Sequence, residues 1–205
     1  MNLDEKIENR VKRLKELNIP FPQNIKEFSN YSCELFRNTK YPAIYLEIGS
    51  RHGGSLFFAA DFLPKKSKII SIDLPNYVWG IKNSDIMLEK ICNELTLEGY
   101  ECYRIIANSK DESTLNSLKE ILKGEKIDAV FADGDHSIEG ISSDWINYSP
   151  FVKENGIFGF HDIRNNEKYP KVEVSILWEQ LKKVYPYMEI VFEHGIGLIW
   201  KTELK

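Results

Sequence analysis

The run Tyr45-Leu46-Glu47-Ile48-Gly49-Ser50-Arg51-His52-Gly53-Gly54-Ser55 leaves the chain few ways to fold. An apolar stretch carries one carboxylate near its end, a glycine-rich turn follows, and Leu56-Phe57-Phe58-Ala59-Ala60 then reads as the body of a helix. A strand, turn and helix of this kind belongs in an α/β sheet. Glycines there let the backbone approach a ligand, and the first-turn N–H groups stay open to an anionic group. The spacing is not the G-x-G-x-x-G of a dinucleotide site, because Ser50-Arg51-His52 separates Gly49 from Gly53-Gly54. Glu47 would also repel a pyrophosphate. A carboxylate beside open N–H groups suits a ligand that bears both an ammonium and a carboxylate.

From residue 43 onward strand and helix patterns alternate. Strands are expected at 43–48, 68–72, 101–106, 127–132 and 156–160, with helices at 55–63, 84–98, 112–122 and 138–151. Short β-rich runs joined by helices imply parallel strands with right-handed crossovers. After a helix at 172–184, the runs 189–193 and 196–200 are separated only by His194-Gly195, too short for a parallel crossover, so these two should pair antiparallel at one edge. The expected fold class is α/β: a doubly wound, mostly parallel, seven-stranded sheet with an antiparallel C-terminal hairpin strand. Ahead of it, Ile7, Val11, Leu14 and Leu17 fall near helical spacing until Pro20 and Pro22 end the pattern, and a second helix is expected at 25–36. Residues 1–40 then form a helical extension packed on a domain of residues 41–205. Core packing is its favoured role; capping of the site and self-association into a homo-oligomer are the others.

Composition narrows the partners. A formal net charge of -4 lacks the basic field that nucleic-acid binding needs, so polynucleotide substrates are disfavoured. No apolar run approaches the roughly 18 residues of a membrane span, and the first residues are charged, so neither a membrane nor export is expected. Cys33, Cys92 and Cys102 are odd in number and lack metal-ligand spacing, which reads as reduced thiols in a cytoplasmic protein.

In an open α/β sheet the ligand sits beyond the C-terminal ends of the strands, where the strand order switches. The first strand delivers Glu47 and Gly49 there, and the second Asp73, whose carboxylate can accept both hydroxyls of a ribose. The third delivers Asn108-Ser109, which can read an adenine edge or cap the next helix. The fourth ends in Asp133-Gly134-Asp135-His136-Ser137 and the fifth in His161-Asp162. Asp135 alone could be a helix cap and His161 alone a core histidine. Together on neighbouring strand ends, these acids and imidazoles can converge on a divalent metal and leave one imidazole free.

In this order the residues resemble those of class I S-adenosylmethionine-dependent methyltransferases, from 43 to about 163 and more loosely to 200. The likeness is closest to the small metal-dependent O-methyltransferases, the catechol and sugar O-methyltransferases and the relatives grouped with cephalosporin hydroxylases. It implies that Glu47 and Ser55 hold the methionine end of S-adenosylmethionine, with Gly49 and Ser50 in the turn around it. Asp73 would then bind the ribose, with Asn108 and Ser109 by the adenine. Asp133, at the edge of the cofactor, and Asp162 match metal ligands, with His161 between them in sequence, and His136 matches the general base. His161 departs from the pattern, which has a carboxylate there. Because magnesium prefers oxygen, an imidazole either shifts the site toward manganese or another transition ion, or points away.

The implied reaction is methyl transfer to a hydroxyl of a small molecule such as a sugar, polyol or natural product. Methyl transfer is an in-line displacement, so the protein must align the hydroxyl and raise its reactivity. Walls for the acceptor are expected from Tyr77, Trp79, Arg164, Asn165, Asn166 and Tyr169. Two other readings remain open: a nicotinamide-dependent oxidoreductase, which would share the sheet and Asp73 but not Glu47, and a non-catalytic S-adenosylmethionine-binding protein, which would lose His136 or the metal acids.

Overall fold

The computed structural model describes residues 2–75, 83–165 and 168–202. Tyr77, Trp79 and Asn166, three of the expected acceptor walls, lie outside the described residues. Helices α1 (Leu3–Glu16) and α2 (Ile25–Asn38) lead into β1 (Ile44–Ile48), α3 (Gly54–Ala60), β2 (Lys68–Asp73), α4 (Ser84–Leu97) and β3 (Glu101–Ile106). Then follow α5 (Glu112–Leu122), β4 (Ile127–Ala132), α6 (Ile138–Tyr148), β5 (Val152–His161), α7 (Val174–Leu181), β6 (Tyr187–Ile190) and β7 (Ile196–Trp200). The strands form one seven-stranded sheet in the order β3-β2-β1-β4-β5-β7-β6. Pairing is parallel from β3 through β5, and antiparallel between β5 and β7 and between β7 and β6. The last strand of the chain is thus inserted beside β5, which leaves β6 at the edge.

Every residue of β1 is buried, as expected of a strand covered on both faces. Side chains alternate across the sheet. Ile44, Leu46 and Ile48 join Leu118, Ile141 and Trp178 under α5, α6 and α7. Tyr45 joins Leu14, Phe28, Phe57 and Leu88 under the first four helices. The extension is therefore part of the core. Arg10, itself buried, donates from Nε to the Phe57 carbonyl at 2.8 Å and from Nη1 to Glu98 at 2.6 Å.

Three differences from the sequence expectations have identifiable causes. The first strand of the hairpin lies at Tyr187–Ile190 rather than 189–193, because the backbone N–H groups of Phe192, Glu193 and Gly195 are all bound by the buried Glu27 carboxylate and cannot join a ladder. Helix α6 stops at Tyr148 and passes into a 3₁₀ turn at Ser149–Phe151, where Pro150 offers no N–H to continue it. The third concerns sulfur. Cys92 on α4 and Cys102 on β3 form a disulfide with a Cα–Cα separation of 5.3 Å, so the expectation of three reduced thiols holds for Cys33 alone. The pairing is set by α4 packing against β3, which spacing did not reveal, and it removes the cysteine argument for a reducing compartment. Among the described residues, no helix is long and apolar enough to cross a membrane.

Candidate active site

Strand order reverses between β1 and β4, since β2 and β3 lie to one side and β4 and β5 to the other. At the C-terminal strand ends there, a cavity of about 830 Å³ opens. Gly49, Ser50, Ser55, Asp73, Asn108, Ser109, Asp133, His136, His161 and Asp162 line it, as do Arg164 and Tyr169. Glu47 and Asn165 do not.

The turn after β1 is close-packed on the protein itself. Gly49 has φ of 88°, and a Cβ on it would fall 2.2 Å from the Asp133 carbonyl oxygen; one on Gly54 would fall 2.2 Å from that of Pro20. Glycine is thus demanded by the β4 turn and by the incoming N-terminal segment. Glu47 lies under this turn, wholly buried. Its Oε1 accepts a hydrogen bond from Ser55 Oγ at 2.8 Å and its Oε2 one from the Tyr45 hydroxyl at 3.0 Å. Burial pushes its carboxyl up to about 7, with Ser55 and Tyr45 opposing the rise. The structure therefore places it as the anchor of Ser55 rather than on the cavity wall.

Asp73 accepts from the Arg51 N–H through Oδ2 and from the Leu74 N–H through Oδ1 at 2.7 Å. Each oxygen keeps a lone pair for a ligand hydroxyl. Burial raises its carboxyl, against the pull of those two N–H groups. Asn108 Oδ1 accepts from the Lys110 N–H at 3.0 Å, and the Ser109 carbonyl accepts from the Tyr148 hydroxyl at 2.7 Å. Asp111 is the N-cap of the following helix, so neither residue caps it.

Charge gathers at the other end. Asp162, in the left-handed region at φ 59°, turns its carboxylate back toward β4. His136 Nε2 lies 3.2 Å from Asp133 Oδ1, and its Nδ1 3.2 Å from Asp162 Oδ2. His161 Nδ1 lies 3.1 Å from Asp133 Oδ1 and 3.4 Å from Asp162 Oδ2, aligned with neither as a hydrogen bond, and its Nε2 has no partner. Burial alone would raise the Asp133 carboxyl, yet the imidazoles of His161 and His136 hold it well below its ordinary range. Burial would lower both imidazoles, and the two carboxylates outweigh it, raising His136 and holding His161 well above its usual value. Asp133, His136 and Asp162 offer donor atoms within 4.8 Å of one another, a set able to hold a metal ion. Asp135 stands apart. It accepts from Ser137 and from Lys110 Nζ at 2.9 Å, while Ser137 caps α6.

Two wall residues that reach the acids were not expected. Gln23, from the segment between the first two helices, donates Nε2 to Asp133 Oδ2 at 3.2 Å and leaves its buried Oε1 without a partner. His194, in the β6–β7 connection, brings Nδ1 to 3.5 Å from Asp162 Oδ1. His194 had a faint signal as a histidine in a tight connection; Gln23 had none.

The strand order, the antiparallel insertion beside β5 and the crevice at the switch point define the class as a Rossmann-like methyltransferase fold. Residues 46–163, more than half of the chain, match the profile of the "Methyltransferase domain" family, and the chain belongs to that family. A protein named uncharacterized protein R132, from Acanthamoeba polyphaga mimivirus, is 31% identical over 133 residues, which span 64% of this chain and 57% of that protein. The O-methyltransferase TomG of Streptomyces achromogenes, solved with S-adenosylmethionine, superposes with a TM-score of 0.65 at 14% identity, over 97% of this chain and 90% of that one. An O-methyltransferase of Bacillus cereus with S-adenosylhomocysteine gives 0.64 at 14%, over 96% and 91%. The MycE methyltransferase of mycinamycin biosynthesis, solved with magnesium and S-adenosylhomocysteine, gives 0.62 at 15%, over 98% and 55%.

Proposed function

We propose that the protein transfers a methyl group from S-adenosylmethionine to a hydroxyl of a small molecule, assisted by a divalent ion. The observation that carries the reading is the convergence of four strand ends on one cavity: the glycine turn and Asp73 on one side, and Asp133, His136 and Asp162 on the other. The residues fit both groups. Asp73 retains acceptor capacity for ribose hydroxyls, with Asn108 and Ser109 beside it for the adenine, and a cavity of about 830 Å³ has room for cofactor and acceptor together. Asp133 and Asp162 would hold the ion, and His161 Nδ1, which makes no hydrogen bond, lies within 3.4 Å of both.

S-adenosylmethionine, when bound, supplies a methyl group on a sulfonium, and the ion, when bound, lowers the pKa of a hydroxyl. The chain's own residues do the rest. Asp133 holds the His136 ring through Nε2, and Nδ1, which makes no hydrogen bond, takes the proton of the acceptor hydroxyl. Asp162, 3.2 Å from that nitrogen, stabilises the imidazolium that results. Glu47 supports cofactor binding by fixing Ser55. Arg164 and Tyr169 line the acceptor end, in keeping with a sugar, polyol or natural-product hydroxyl.

Calorimetry with S-adenosylmethionine, S-adenosylhomocysteine and NAD tests the cofactor: heat from both sulfur compounds and none from NAD is expected, and the reverse would make this an oxidoreductase. A screen of hydroxylated acceptors then follows methyl transfer with and without chelator. Full turnover in metal-free protein would remove the ion from the mechanism, and tight cofactor binding without transfer to any acceptor would favour a binding protein.

A further inference from the structure

The chain contains four histidines, and all four, His52, His136, His161 and His194, line the one cavity. Three bring Nδ1 to the Asp162 carboxylate, at 3.2 Å for His136, 3.4 Å for His161 and 3.5 Å for His194. One carboxylate is more than matched by three imidazoles from three different segments. His161 is 8% exposed, and neither of its ring nitrogens makes a hydrogen bond, which is unusual for a buried polar group in a finished site.

We infer that His161 and His194 are ligands that join Asp133 and Asp162, and that the site therefore selects a first-row transition dication over magnesium. The inference rests on the metal-assisted reading above and adds to it which ion and which further donors. Imidazole suits manganese, iron, cobalt or zinc, whereas magnesium holds to oxygen. Spacing supports the set. Donors bound about 2.1 Å from one ion stand roughly 3.0 to 3.4 Å apart across octahedral or tetrahedral edges; His161 Nδ1 meets that spacing at 3.1 Å from Asp133 Oδ1 and 3.4 Å from Asp162 Oδ2, and His194 Nδ1 lies just beyond it, 3.5 Å from Asp162 Oδ1.

The hairpin connection is held for this role. Glu27 of α2 binds the N–H groups of Phe192 at 2.7 Å and Gly195 at 2.9 Å, together with that of Glu193, and so clasps the backbone on both sides of His194. Asn24 adds a hydrogen bond to Glu193 Oε2 at 3.1 Å. His136 is left as the base.

The test uses the full chain stripped with chelator and titrated with Co²⁺, Mn²⁺ and Mg²⁺. Co²⁺ is followed by its visible absorption, Mn²⁺ by electron-spin-echo modulation from ligand nitrogen, and S-adenosylhomocysteine binding is measured in parallel by calorimetry. Support is Co²⁺ binding about tenfold or more tighter than Mg²⁺, nitrogen modulation from imidazole, and a loss of about tenfold or more in Co²⁺ affinity in His194→Ala with S-adenosylhomocysteine binding unchanged. His161→Ala should act alike; if it fails to fold, His194→Ala, on a partly exposed loop, carries the test. Mg²⁺ binding as tightly as Co²⁺, absence of nitrogen modulation, or full Co²⁺ affinity in His194→Ala would overturn the inference while leaving methyl transfer standing. Binding of no ion at all overturns both the inference and the metal-assisted step, and only a missing S-adenosylhomocysteine signal would touch the cofactor reading.

Discussion

On the β1–β2 side the cavity wall is chain packed against chain. Gly49 and Gly54 sit where a Cβ would strike the backbone of Asp133 and Pro20, Glu47 is sealed beneath with Ser55 and Tyr45, and Asp73 is steadied by two backbone N–H groups. On the β4–β5 side the wall is charged side chains facing one another, Asp133 and Asp162 among His136, His161 and His194. The first side sets a shape; the second concentrates charge. Under the proposed function, cofactor binding and chemistry fall on opposite sides of β1, so substitutions on the two sides should give separable defects.

The largest effect is expected at His136. His136→Ala and His136→Asn should each lower turnover by about a hundredfold or more while S-adenosylhomocysteine affinity stays nearly intact, since proton removal is needed in the transition state and not in binding. Normal turnover, or a defect in affinity alone, would break the division and make His161 the better candidate for the base.

Glu47 sharpens the other side. If its carboxylate paired directly with the cofactor ammonium, Glu47→Gln would be as damaging as Glu47→Ala, because the charge would be gone in both. As the anchor of Ser55, the Gln variant keeps acceptor and donor groups and should bind S-adenosylmethionine almost normally, whereas Ala should lose about tenfold in affinity with little change in saturated turnover. Equilibrium dialysis of the two variants decides between these.

The smallest effect belongs to Asp144, a carboxyl on α6 that is 1% exposed. Burial raises it from 3.8 to about 6, against the pull of Ser109. Between those values the folded protein keeps a proton that the unfolded chain has released, so this group takes stability away as pH rises through that window. Asp144→Asn should therefore gain about 1 kcal/mol at neutral pH and flatten the urea-midpoint profile below it, with both cofactor affinity and turnover unchanged. An unaltered profile would show that the carboxyl is not carried at a raised value.

Much of this could be read from local pattern. The parallel strands and the residues at their ends follow from apolar runs and glycine turns only a few residues long, which is why ten of the eleven residues expected to hold the cofactor or metal or to act as base line the cavity. Glu47 missed it because period-two alternation says which face a strand residue takes, but not whether the turn above will cover it. Gln23, the Glu27 clasp and the Cys92–Cys102 bond were not legible, since each depends on which elements pack together and none has a short-range signature. The shifted hairpin is the clearest case: the pattern at 189–193 suits a strand, and a tertiary carboxylate takes the N–H groups that a strand would need.

The Glu27 clasp also bears on the order in which the molecule assembles. It joins residues 165 to 168 positions apart, so the wall carrying His194 can close only once the chain has been made through residue 195. An interaction of that span belongs on the native side of the folding barrier, and weakening it should hasten unfolding while leaving the folding rate nearly untouched. Glu27→Gln in stopped-flow chevrons is expected to steepen loss of the native state in just that way; an equal slowing of refolding would place the closure of the cavity early instead.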